Sequence, residues 1–125
     1  MTKSNQSEIH AAMIARIKRV LTSRQWILRF EELHADIVAF LPGKPGVWAL
    51  EAERRGNAYW IRRNESRDNR NGACGIIFVT ESTAVAQKVR KILSAGPSDV
   101  ATKAIVVTID DFSEEFVRNV MEGRS

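Results

Sequence analysis

Ala35-Asp36-Ile37-Val38-Ala39-Phe40-Leu41 is followed by Pro42-Gly43-Lys44-Pro45-Gly46 and then by Val47-Trp48-Ala49-Leu50-Glu51-Ala52-Glu53. The first and third of these pieces are apolar runs with strand composition, broken only by carboxylates. The middle piece is a strong turn, because proline presets one backbone dihedral and glycine permits positive φ. The segment therefore reads as an antiparallel hairpin. Asp36 opens its first strand and Glu51 lies near the end of its second, so the turn folds the two carboxylates back toward each other. Side chains alternate along a strand, which puts Val47, Ala49, Glu51 and Glu53 on one face and Trp48, Leu50 and Ala52 on the other.

Upstream of the hairpin, residues 26–30 alternate as a further strand. Residues 8–21 place Ile9, Met13, Ile17, Val20 and Leu21 on one helical stripe, with Ser7 as the expected N-cap. Downstream, residues 56–73 are polar and rich in arginine and asparagine, and predict a short helix followed by a loop. Residues 75–80 are continuously apolar, the pattern of a strand covered on both faces. Val85, Val89, Ile92 and Leu93 mark a helix that should stop at Gly96-Pro97, and residues 104–109 repeat the buried-strand pattern. A final helix is expected to open at Asp111, with Glu114 in a capping box and Phe116, Val117, Val120 and Met121 facing inward. The predicted order is α-β-β-β-α-β-α-β-α. An antiparallel start followed by βαβ units implies an α/β domain of three layers, α/β/α, around a mixed central sheet.

The 125 residues suit a single domain spanning 1–125, and 44% hydrophobic with 27% charged residues is the composition of a folded soluble chain. No apolar run reaches the roughly 20 residues of a membrane span, and the first residues lack the apolar core of a secretory leader, so the expected location is cytoplasmic with no membrane partner. Cys74 is the single cysteine, which excludes an internal disulfide and a cysteine-rich zinc site. Histidine is limited to His10 and His34, so a metal would be held mainly by oxygen. Cys74 itself reads as a small core residue, and Trp26 and Trp48 as core or sheet-face residues.

The net charge of +4 is unevenly placed. Lys3, Arg16, Lys18, Arg19, Arg24 and Arg29 face only Glu8 in the first 30 residues, and Arg54, Arg55, Arg62, Arg63, Arg67 and Arg70 face Glu65 and Asp68 between 54 and 73. The tail beyond Asp99 is net acidic. Arginine without lysine in the second stretch, interleaved with Tyr59 and Trp60, suits phosphate contact and base stacking. Arg54, Arg55, Tyr59, Trp60, Arg62, Arg63, Arg67 and Arg70 are therefore the candidate nucleic-acid contacts. The plainer alternative is a run of charge that only keeps a polar segment solvated.

Three carboxylates brought to one place repel unless a cation neutralises them, and hard oxygen donors suit Mg²⁺ or Mn²⁺. Asp36, Glu51 and Glu53 are the candidate catalytic set; Asp36 and Glu51, joined by Glu8 from the first helix, are the candidate metal ligands. A metal so held could polarise a phosphoryl oxygen and activate water. Edge-strand carboxylates that merely discourage sheet-to-sheet pairing are the alternative, and Glu8 could equally serve its helix dipole.

With Asp36 opening one strand and Glu51-Ala52-Glu53 closing the next, the chain resembles the PD-(D/E)XK, or restriction-endonuclease-like, nuclease superfamily. Within residues 35–93 it is most similar to plasmid replication-relaxation proteins: the strand His34-Ala35-Asp36-Ile37-Val38-Ala39-Phe40, the segment Glu51-Ala52-Glu53-Arg54 and the strand Ile76-Ile77-Phe78-Val79-Thr80 carry the likeness. The resemblance implies metal-dependent cleavage of DNA. Glu53 stands where most active members have lysine, and His34-Ala35 replaces the proline before Asp36. Some nucleases of the superfamily resemble this chain in using a second glutamate there, whereas loss of the lysine is also how members become non-catalytic modules, so the alternatives are a DNA-binding accessory protein for plasmid replication or transfer, and a protein-interaction module. A homodimer is compatible with each.

Overall fold

A computed structural model describes residues 2–21, 27–30, 36–40, 46–95 and 103–122. Among them run α1 (Thr2–Val20), β1 (Ile27–Phe30), β2 (Ile37–Phe40), β3 (Trp48–Glu53), α2 (Ala58–Arg70), β4 (Gly75–Thr80), α3 (Thr83–Ala95), β5 (Lys103–Thr108) and α4 (Glu114–Met121). The order is the expected one. The fold is mixed α/β, with five strands in spatial order β1-β2-β3-β4-β5. The pairs β1–β2 and β2–β3 are antiparallel, and β3–β4 and β4–β5 are parallel. The turn at 42–45, Trp26, His34 and the Gly96-Pro97 stop lie outside the described residues.

Alternation along the strands sorts the core into two clusters. Ile37, Ala39, Trp48, Leu50, Ile77 and Val79 pack with Ile17 of α1, with Leu21 just beyond its end, and with Val117 and Val120 of α4. Val38, Ala49, Ile76 and Phe78 pack with Ile61 of α2 and Val89 of α3. Fully burying each such aliphatic or aromatic side chain contributes about 1.5–3 kcal/mol. Where Trp48 pairs with Gly75 across β3 and β4, the indole lies against the glycine so closely that an added Cβ would collide with the ring.

Several local expectations are corrected. Helix α1 starts at Thr2, so Ser7 lies inside it and is not its N-cap. The segment expected to be half loop is a 13-residue helix, α2, capped by Asn57, whose side chain accepts the Trp60 N–H. The N-cap of α4 is Ser113, not Asp111; Glu114 forms no capping box and instead pairs with Arg118 one turn on, at 2.8 Å. Strand β5 is only partly buried, because it is the sheet edge with a single neighbour. Cys74 is exposed, since it precedes β4 at the bend that returns from α2.

Candidate functional site

The sheet delivers its carboxylates to the end of β3, which is the middle strand and not an edge. Asp36 immediately precedes Ile37, which pairs with Leu50. The Asp36 backbone N–H donates to Glu51 Oε1 at 3.3 Å, and the Ala52 N–H donates to Asp36 Oδ2 at 2.8 Å. Asp36 and Glu51 are therefore neighbours, as the hairpin predicts. Glu53, two residues on, turns its Oε2 to the backbone N–H groups of Arg55 and Gly56 at 3.1 and 3.0 Å. It fastens the bend between β3 and α2, where Gly56 has φ of 70°, a left-handed conformation suited to glycine. Glu8 is exposed on α1. The α1 side chain that reaches Asp36 is His10, whose Nε2 lies 3.2 Å from Asp36 Oδ2.

Glu51 is only 3% exposed and points toward α2. There it meets Arg67, whose guanidinium donates to Glu51 Oε2 at 2.8 Å and lies 3.3 Å from Asp68 Oδ1. Asp68 is 1% exposed, and its Oδ2 is buried with no hydrogen-bond partner among the described residues. Burial, then the hydrogen bond and negative charge of Asp68, push the Glu51 carboxyl up to about 10, with Asp36 adding to the rise and Arg67 opposing it. The short Arg67 contact alone would suggest an ionised Glu51. Two buried carboxyls around one guanidinium reconcile the two signs: Arg67 neutralises one charge and a retained proton neutralises the other.

His10 is shifted upward, first by its hydrogen bond to Asp36, with burial opposing and the charges of Asp36 and Glu53 assisting. It lines a cavity of about 190 Å³ with Ala52, Glu53, Arg54, Arg55, Asn57 and Trp60. Arg54 lies 3.6 Å from Glu81.

Along the outer side of α2, Ala58, Tyr59, Arg62, Arg63, Ser66 and Arg70 line an open groove of about 620 Å³. Arg62 is anchored by donating to the Ile92 carbonyl at 2.6 Å, which ties α2 to α3. Arg63 donates to Tyr59 Oη at 3.0 Å and sits 5.6 Å from the Trp60 ring centroid. The candidate contacts thus divide: Arg54, Arg55, Tyr59, Trp60, Arg62, Arg63 and Arg70 line the outer cavity and groove, whereas Arg67 turns inward.

A divalent cation of the Mg²⁺ class needs several oxygens free to converge on it, usually with waters beside them. Here Asp36 Oδ2 is taken by the Ala52 N–H and faces His10, Glu51 by the Asp36 N–H and Arg67, and Glu53 by two backbone N–H groups. No group of three or more His, Cys, Asp or Glu side chains among the described residues could hold a metal ion. As arranged, Asp36 Oδ2, both Glu51 oxygens and Glu53 Oε2 are engaged by the protein's own donors. Sequence reasoning missed His10, Asp68 and the inward role of Arg67; Asp68, seven residues after Ile61 and so on the same helical stripe, was the available signal. No described helix is long and apolar enough to cross a membrane. The chain matches no family model, no curated protein and no solved structure, so its own residues carry the functional reading.

Proposed function

We propose that the chain is a DNA-binding module on a restriction-endonuclease-like, three-layer α/β/α domain, in which an arginine and not a metal neutralises the acidic centre. The observation that carries this reading is the Arg67–Glu51 contact at 2.8 Å on a carboxyl 3% exposed. A guanidinium there already supplies the cation that the converging carboxylates require. Glu51 lies too deep to share a ligand with a DNA phosphate. Outside this centre, α2 offers Arg62, Arg63 and Arg70 beside two aromatic rings, a surface suited to phosphates. Holding DNA without cutting it corresponds to the alternative that the sequence left open, an accessory protein for plasmid replication or transfer.

The reading is tested by fluorescence anisotropy with labelled DNA in EDTA across a salt series. Binding should weaken steeply with salt, and Arg63→Ala with Arg70→Ala should flatten the dependence. Affinity indifferent to salt would reject it and favour a protein partner for the same surface. A second reading, Mg²⁺- or Mn²⁺-dependent cleavage, draws on the cavity where His10 and Glu53 stand beside Asp36. Cleavage that disappears in Asp36→Ala would select it.

A further inference from the structure

We propose that the ligand of the α2 surface is single-stranded nucleic acid, with an unpaired base stacked on Trp60 at the junction of the cavity and the groove. The proposal rests on the DNA-binding reading and narrows it.

Tyr59 and Trp60 are 63% and 52% exposed, although the described core buries large apolar groups on both sides of the sheet. Two adjacent, solvent-facing aromatic rings in the first turn of a helix forgo the stabilisation that burial gives such side chains. They are nevertheless held in place. The rings meet edge to face, with centroids 5.1 Å apart and planes at 81°, and Arg63 braces both by its bond to the Tyr59 hydroxyl and its position over the Trp60 ring. An edge-to-face pair covers at most one face of one ring, and the exposure of Trp60 leaves indole surface open to a base beside Tyr59 and Arg63.

Their position matters as much as their exposure. Trp60 forms part of the wall of the cavity that also contains His10, Arg54, Arg55 and Asn57. Tyr59 forms part of the wall of the groove that continues along α2 past Arg62, Arg63 and Arg70. A chain running from cavity to groove would place its phosphates near arginines at both ends and its bases at the rings between them. Duplex DNA cannot use this arrangement, since its base faces are already stacked on one another. Unpaired bases can, and every base has a π face, so the contact is tolerant of sequence.

The test uses the full chain in EDTA with a fluorescein-labelled thymidine 12-mer and a labelled 12-base-pair duplex, for the wild type and for Trp60→Ala and Trp60→Phe. Trp60 is exposed, and circular dichroism melts are run alongside to check that each variant is folded. The single strand should bind at least about tenfold more tightly than the duplex. Trp60→Ala should lose about tenfold on the single strand and change duplex binding by less than about twofold, and Trp60→Phe should restore most of the loss. Equal affinity for the two DNAs, or an equal loss on both in Trp60→Ala, overturns the stacking proposal and leaves the DNA-binding reading standing. Binding to neither DNA overturns both.

Discussion

At the scale of single residues, the unusual group is Glu51, a carboxyl that burial and Asp68 push up to about 10. Its folded value is raised above its unfolded one, so it favours the folded state fully below pH of about 4.5, and that contribution drains away as pH rises toward 10. Glu51→Gln keeps the shape and a hydrogen-bond donor but cannot titrate. Urea unfolding between pH 6 and 9 should therefore show the wild type losing stability relative to Glu51→Gln; parallel curves would mean that Glu51 is ionised throughout. His10 is raised in the same sense, and its contribution, common to both proteins, cancels in the comparison. Arg67→Ala should cost on the order of 3 kcal/mol, because it strips the cation from a buried acid pair. A loss below about 1 kcal/mol would show that the retained proton suffices without the arginine. Little of this was legible beforehand: the hairpin turn placed Asp36 and Glu51 together, but no pattern distinguishes an arginine that points at solvent from one that points at a carboxylate.

At the scale of elements, the legible parts were those whose inward side is apolar. Residues 75–80 and the stripe Met13, Ile17 and Leu21 lie where the pattern put them, because burial of aliphatic groups is what creates the pattern. Helix α2 was underestimated for the converse reason. Its inward stripe carries Ile61 as its buried apolar residue and then Asp68, so the side facing the sheet is polar and the periodic signal fails. Ile61 thus anchors α2 to the second core cluster, and Ile61→Ala should cost about 2–5 kcal/mol by thermal or urea unfolding. The same measurement on Gly75→Ala, which drives a methyl into the Trp48 ring, should show a loss of about 1–3 kcal/mol. An unaffected Gly75→Ala would mean that the indole does not lie over β4.

At the scale of the whole molecule, helix α2 separates two kinds of electrostatics. At the end of β3 the acids are neutralised internally by Arg67, a proton and backbone N–H groups, while the outer side of α2 carries Arg63 and Arg70 to solvent. The topology was legible because the Pro-Gly turn and the apolar runs specify it; the internal neutralisation was not, because it depends on which way one side chain on α2 turns. On the proposed DNA-binding reading, three arginine contacts to a single strand predict a slope of log affinity on log salt of roughly −2. The central claim is that this acidic centre is closed by arginine and does no metal chemistry. It is tested most directly by incubating end-labelled single-stranded and duplex DNA with the protein in EDTA, Mg²⁺ or Mn²⁺, and resolving bound and cut species from the same reactions. The account predicts the same affinity in all three and intact DNA throughout; divalent-dependent cutting that vanishes in Asp36→Ala would contradict it.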